Sequence, residues 1–297
     1  MNAFLGELGK KLAERWVTLL VLPGLLWVAT AVVAHRLGRG AALDLNRLHS
    51  WFDGFVKSQQ TARPGVLLAV TAGILVAAAG AGLAAGWLGR GVERVWMLPG
   101  RRRPLRWLTR WRRWRWDRAY RQVTAAIGPV PGRLDLAAAM ARTQRIAPVP
   151  AERPLWIGDR LRALDVRVWE RYRLDVSVAW PRLWFVMPEG PRADMGTAHE
   201  SYATAARLFG WAILYLLLGA WWWPALGIAA AVAITAWSQA RAATSTLADL
   251  AESAIDLYGG ALARELGFEC PAVLTPEIGT KVTKLLRKDE TFPPPGG

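Results

Sequence analysis

This chain has little with which to do covalent chemistry. Its 297 residues include one cysteine, Cys270, and three histidines, His35, His49 and His199. A single cysteine excludes an internal disulfide framework and a thiolate metal site. No two histidines stand at metal-ligand spacing, and His199-Glu200 reads as a surface or interhelix pair rather than as a base. There is no Walker-type phosphate loop and no nucleophile elbow. Gly80-Ala81-Gly82 falls inside an apolar run, where it cannot serve a phosphate. These absences argue against an enzyme, and they leave no catalytic, cofactor-binding or metal-binding residue to nominate.

Carboxylates are also in short supply: 23 Asp and Glu stand against 38 Lys and Arg, a formal net charge of +15. That excess points to anionic partners, whether lipid headgroups, nucleic acid or acidic proteins. Lysine is scarce as well, and the abundance of alanine and glycine assigns the arginine bias to a GC-rich bacterial genome. Yet the chain is 53% hydrophobic, with a mean hydropathy of +0.16. With 21% charged residues, those two facts fit only if charge and apolarity are segregated along the chain.

Three charge-free apolar runs show the segregation: residues 16–35, 64–89 and 208–240. A bilayer core needs about 20 apolar residues as a helix. The first run meets that length and follows Lys10, Lys11 and Arg15; its apolar core exceeds a signal-peptide core, so it reads as an uncleaved span. The second is rich in small residues, and Gly73, Ala77, Gly80 and Ala84 are expected to form a close helix-packing face, within the chain or against a sister subunit. The third is too long for one span. Trp221, Trp222 and Trp223 followed by Pro224 mark a turn in an interfacial belt, which splits the run into a helical hairpin. A re-entrant hairpin or one tilted helix are the other readings of this run. No span carries an ionisable residue except His35 at an edge, which argues against proton-coupled transport but not against a passive pore.

The expected fold is an all-α integral membrane protein with four transmembrane helices, the last two as a hairpin, and a helical cytoplasmic region. Its parts are a two-span unit (1–89), a basic Arg/Trp-rich cytoplasmic region (90–206), the hairpin (207–241) and a cytoplasmic helical tail (242–297). The arginines that follow the second run place that region, and with it both termini, on the cytoplasmic side of a bacterial membrane.

The basic region holds the strongest local pattern, RRRPLRWLTRWRRWRWDRAYR over 101–121. Trp107, Trp111 and Trp114 fall at i, i+4 and i+7, one helical face. With Arg101, Arg102, Arg103, Arg106, Arg110 and Arg113 they form a candidate membrane-surface helix, lying in the headgroup plane and binding anionic lipid. The rival readings are core or subunit packing of the Trp face, and nucleic-acid binding through Arg and base stacking.

Downstream, 133–145 has helical spacing. Residues 154–172 form an amphipathic helix, with Asp159, Arg160 and their neighbours expected on a solvated face paired at i,i+3 and i,i+4. The aromatics around Pro181 suggest an ordered turn, and Leu247, Leu250, Ile255 and Leu257 an apolar stripe on a continuation of the last span. Thr275-Pro276-Glu277 starts a short basic helix, and 291–297 is expected to be a disordered tail.

The strings Arg173-Leu174-Asp175 and Trp180-Pro181-Arg182-Leu183 resemble segments of uncharacterised multi-pass membrane proteins of GC-rich bacteria, over 154–188. That resemblance implies no activity. The spacing of four spans around a central cytoplasmic region is loosely similar to bestrophin-type anion channels, with no motif to carry residues across. The expected function is a non-enzymatic, homo-oligomeric membrane scaffold or effector that binds anionic lipid and a cytosolic protein. An anion-conducting channel and a membrane-tethered nucleic-acid binder are the alternatives.

Overall fold

The computed structural model describes residues 21–40, 42–44, 46–47, 49–51, 53–54, 64–100, 103–127, 133–271 and 273–288. Among them there is no strand; the secondary structure is helical. The helices are α1 (Leu22–Leu37), α2 (Pro64–Trp96), α3 (Arg103–Ala126), α4 (Arg133–Ile146), α5 (Trp156–Tyr172), α6 (Val176–Val186), α7 (Glu189–Leu218), α8 (Pro224–Glu265) and α9 (Pro276–Arg287). The Lys10, Lys11 and Arg15 cluster, the start of the first run, Arg101, Arg102 and the tail 291–297 lie outside the described residues.

Among the described residues, two helices are long and apolar enough to cross a membrane, α2 and α7. Of the most apolar stretch of α2 only 17% is buried; Leu68, Val76 and Leu83 are exposed. The described part of the first run, α1, has 16 residues, short of the roughly 20 a span needs. Helix α8 has 42 residues, with 17 uncharged positions before Arg241, and is not among the two candidates. α7 ends at Leu218 rather than at the Trp cluster, and Pro224 is the first residue of α8, where its missing N–H costs nothing.

The chain divides into two compact units, one built from 1–93 and 203–238, the other from 94–202 and 239–297. The first is held by close backbone approach. A Cβ on Gly210 of α7 would stand 2.1 Å from the Ala85 carbonyl oxygen of α2, and one on Gly24 of α1 would stand 2.1 Å from that of Ala78. Gly89 meets the backbone of Arg207 in the same way. Ala81 and Ala85 join Trp211 and Leu214 in the packed centre, and Phe209 meets Trp237 edge-on at 6.5 Å. Between apolar helices, where lipid competes for the same contacts, such fit supplies much of the adhesion. The α7–α8 turn is tied by Trp222 Nε1, which donates to the Ala42 carbonyl at 3.0 Å, and by the Arg39 guanidinium on the Ala220 carbonyl.

In the second unit, α5 and α8 share a core that includes Leu164, Val168, Ile255 and Leu262 with Leu174, Leu183 and Val282. Helix α5 departs from the expected charge pattern. Asp159 and Arg160 are buried, not solvated. Among the described residues, the charges of α5 pair across to other elements rather than along the helix. Arg160 donates to Asp249 at 2.5 Å, and Arg167 grips Glu252 by two nitrogens at 2.7–3.1 Å. The Tyr172 hydroxyl donates to Asp256 at 2.7 Å; burial, then that bond, pushes its pKa up to about 12. These partners advance together along α5 and α8, so the two helices run parallel, and tertiary partners displace the i,i+4 pairs that an isolated helix would favour.

The segment around Pro181 is not a turn but the interior of α6. The Asp175 side chain caps its start, accepting from the Ser177 amide at 3.0 Å, and Ala179, Leu183 and Met187 bury one face at i,i+4,i+8. That burial offsets the helical hydrogen bond that proline cannot make. Helix α9 staples the α5–α6 junction. Thr283 bonds the Arg173 carbonyl and the Asp175 amide, Arg287 pairs with Asp175, and a Cβ on Gly279 would stand 1.9 Å from the Tyr172 carbonyl oxygen. Leu257 is exposed and not part of the α8 stripe, which runs through Ala251, Ala254, Ile255 and Leu262.

The glycine contacts yield a test. Gly210→Ala forces α7 off α2 and is expected to cost about 1–3 kcal/mol. Gly73, by contrast, has open space where a Cβ would go. Thermal unfolding of the detergent-solubilised chain should show a lower Tm for Gly210→Ala and no loss for Gly73→Ala; an unchanged Tm for Gly210→Ala contradicts the close approach.

Candidate functional site

Helix α3 carries the expected site, and it faces two ways. Arg112, Ala119 and Val123 are buried, with Trp116 half-buried between them, at i, i+7, i+11 and i+4. This stripe faces α4 and the segment that follows it, and Trp116 Nε1 donates to the Ala147 carbonyl at 3.0 Å. The Trp stripe faces away: Trp107 is 73% exposed, Trp111 42% and Trp114 53%. Arg106, Arg110 and Arg113 are exposed beside it, and among the described residues no carboxylate pairs with them. Arg101 and Arg102, and the side chain of Arg103, lie outside the described residues.

What turns α3 this way is a buried ion pair. Asp159 of α5 is fully buried. One of its oxygens accepts from Arg112 Nη1 at 2.7 Å; the other accepts from the backbone amides of Arg153 at 2.8 Å and Glu152 at 3.1 Å. Arg112 goes on to donate to the Arg153 and Ile146 carbonyls, both at 2.6 Å. Burial raises the carboxyl pKa, and the hydrogen bonds from Arg153, Arg112 and Glu152 oppose that rise. The pair thus fixes α3, α5 and the connection between α4 and α5 to one another. Neither residue was nominated from the sequence. The inward stripe of α3 is as regular as its Trp stripe, and nothing local says which of the two goes in.

Beside the Trp stripe, α3 and α4 leave an open groove of about 610 Å3. Its walls carry Arg115 and Arg118 from α3 and Arg142 and Arg145 from α4. The Arg115 guanidinium lies 4.8 Å over the Trp111 ring and that of Arg118 5.6 Å over Trp114. The remaining predicted residues fall in the first unit. Gly73, Ala77 and Gly80 are exposed, and Ala84 is half-buried. Packing within the unit uses the adjacent stripe, Ala78, Ala81, Ala85 and Gly89, because the glycines of α1 and α7 meet α2 there. Of the Trp belt, Trp221 and Trp223 are exposed and Trp222 is half-buried against Ala42. Among the described residues no cluster of His, Cys, Asp and Glu is arranged to hold a metal.

Comparison with known proteins brings nothing further: no family model, curated protein or solved structure matches this chain. The site therefore rests on its own geometry.

The ion pair generates a prediction. Removing one partner strands a buried charge, which costs about 3–5 kcal/mol, whereas an apolar pair of similar volume is near neutral. Asp159→Ala should lower the Tm steeply and Arg112→Met with Asp159→Leu much less. If Asp159→Ala unfolds with wild-type stability, the pair does not hold this unit together.

Proposed function

We propose that this chain is a non-enzymatic scaffold of the bacterial cytoplasmic membrane, oligomeric, with four crossings and both termini inside. In this reading α3 lies on the anionic leaflet and presents the second unit to a cytosolic partner. The observation that carries it is the outward Trp107, Trp111 and Trp114 stripe, flanked by arginines that pair with no carboxylate among the described residues. Three indoles left out of the core make core packing within this chain a poor account of the stripe. An amphipathic helix of this kind gains by burying its aromatic face at headgroup depth. Each cation near an anionic leaflet adds about 1 kcal/mol. Helix α3 begins seven residues after α2 ends, so a short connection separates a candidate span from the surface helix.

Amide exchange of the full chain in nanodiscs tests the surface helix. Exchange across α3 should slow when phosphatidylglycerol replaces a zwitterionic lipid, and the slowing should vanish in Trp107→Ala, Trp111→Ala, Trp114→Ala. Equal exchange in both lipids sinks the reading. The topology has its own reporter in Cys270, the sole cysteine and partly accessible. A membrane-impermeant maleimide should label it only after the cells are permeabilised; labelling from outside places the tail on the wrong side.

A further inference from the structure

The groove between α3 and α4 is more than a continuation of the surface helix. We propose that it is a binding site for a ligand carrying two phosphate groups. Two guanidiniums stand on each wall, Arg115 and Arg118 on one and Arg142 and Arg145 on the other. No carboxylate lines it, and among the described residues none of these four arginines has an acidic partner. Four neighbouring cations without counter-charge repel one another, and a dianion or trianion between the walls relieves that repulsion. A guanidinium fork matches phosphate oxygens in bidentate fashion, so one pair of arginines per phosphate is the natural stoichiometry. The cation–π contacts with Trp111 and Trp114 hold two of the forks in place before the ligand arrives, which lowers the ordering cost of binding. The volume of about 610 Å3 exceeds what one inorganic phosphate fills and lies in the range of small-molecule sites, about 300–1,000 Å3.

Two sources supply this chemistry: a phospholipid with two phosphodiesters, and a soluble diphosphate. The lipid source rests on the surface reading of α3, because Trp111 and Trp114 belong to both the groove and the lipid-facing stripe.

The test uses the detergent-solubilised full chain. Calorimetric titration with inorganic pyrophosphate and with phosphate reads the soluble arm. Lipid phosphorus retained per protein after gel filtration, with diphosphatidylglycerol against phosphatidylglycerol at equal charge, reads the lipid arm. The expected result is a preference of about tenfold or more for the two-phosphate ligand in at least one arm, lost in Arg142→Gln with Arg145→Gln. Those arginines are exposed and lie off the Trp stripe, so the variant should unfold at the wild-type temperature. Arg115→Lys with Arg118→Lys keeps the charge and should also lose the preference, because the fork and its stacking are gone. Preference in the lipid arm alone assigns a lipid, and in the pyrophosphate arm alone a soluble diphosphate. No preference in either arm, or a preference that survives both variants, overturns the proposal. Failure of the surface reading is separate: it shows as unchanged amide exchange in anionic nanodiscs, with pyrophosphate still bound.

Discussion

Asp159 is the constraint on which the second unit depends. A carboxylate taken fully out of water must have its lone pairs met, and here two backbone amides and one guanidinium meet them. Because the guanidinium comes from Arg112, the rotation of α3 about its own axis is set. At about 100° per residue, Trp107, Trp111 and Trp114 then lie roughly 135° around the helix from Arg112. The stripe faces outward because a single arginine faces inward. The same rotation brings Arg115 and Arg118 to the edge where α4 presents Arg142 and Arg145. One buried pair therefore aims the aromatic stripe and assembles the basic groove.

The first unit follows a different rule. Its helices approach until backbones touch, at Gly24, Gly89 and Gly210. A small-residue stripe brings the helices together there, and hydrogen bonds from Trp222 and Arg39 tie the turn at its end. Helix α2 has more than one such stripe. The one with Ala78, Ala81 and Ala85 is consumed inside the unit, while Gly73, Ala77 and Gly80 remain on the outside. That division leaves Gly73, Ala77 and Gly80 exposed beside the apolar surface of Leu68, Val76 and Leu83.

Much of the helical layout was legible. Apolar runs, the Trp–Pro turn, the α5 periodicity and the Thr275-Pro276 start of α9 each carry a local physical signature, and the helices appear there. What was misread shares a cause. Pro181 is a helix breaker by local preference, but the burial of Ala179 and Leu183 overrides it. Arg160 and Arg167 suit intrahelical pairing, yet carboxylates of α8 stand closer. Asp159 resembles any charge on an amphipathic helix until the loop amides fold over it.

Sequence alone determined that this chain is helical, that its charge and apolar surface are segregated, and that α3 is both basic and aromatic. These are properties of composition and period, which act through neighbours three or four residues away. Tertiary structure decided which face of each helix turns inward, which of two equivalent small-residue stripes is consumed, and which arginines share a groove. Those choices depend on partners far along the chain, as the pairing of Arg112 with Asp159, of Arg167 with Glu252 and the approach of Gly210 to Ala85 show. No local pattern encodes them, because each stripe satisfies the same periodicity and only the partner's surface breaks the tie.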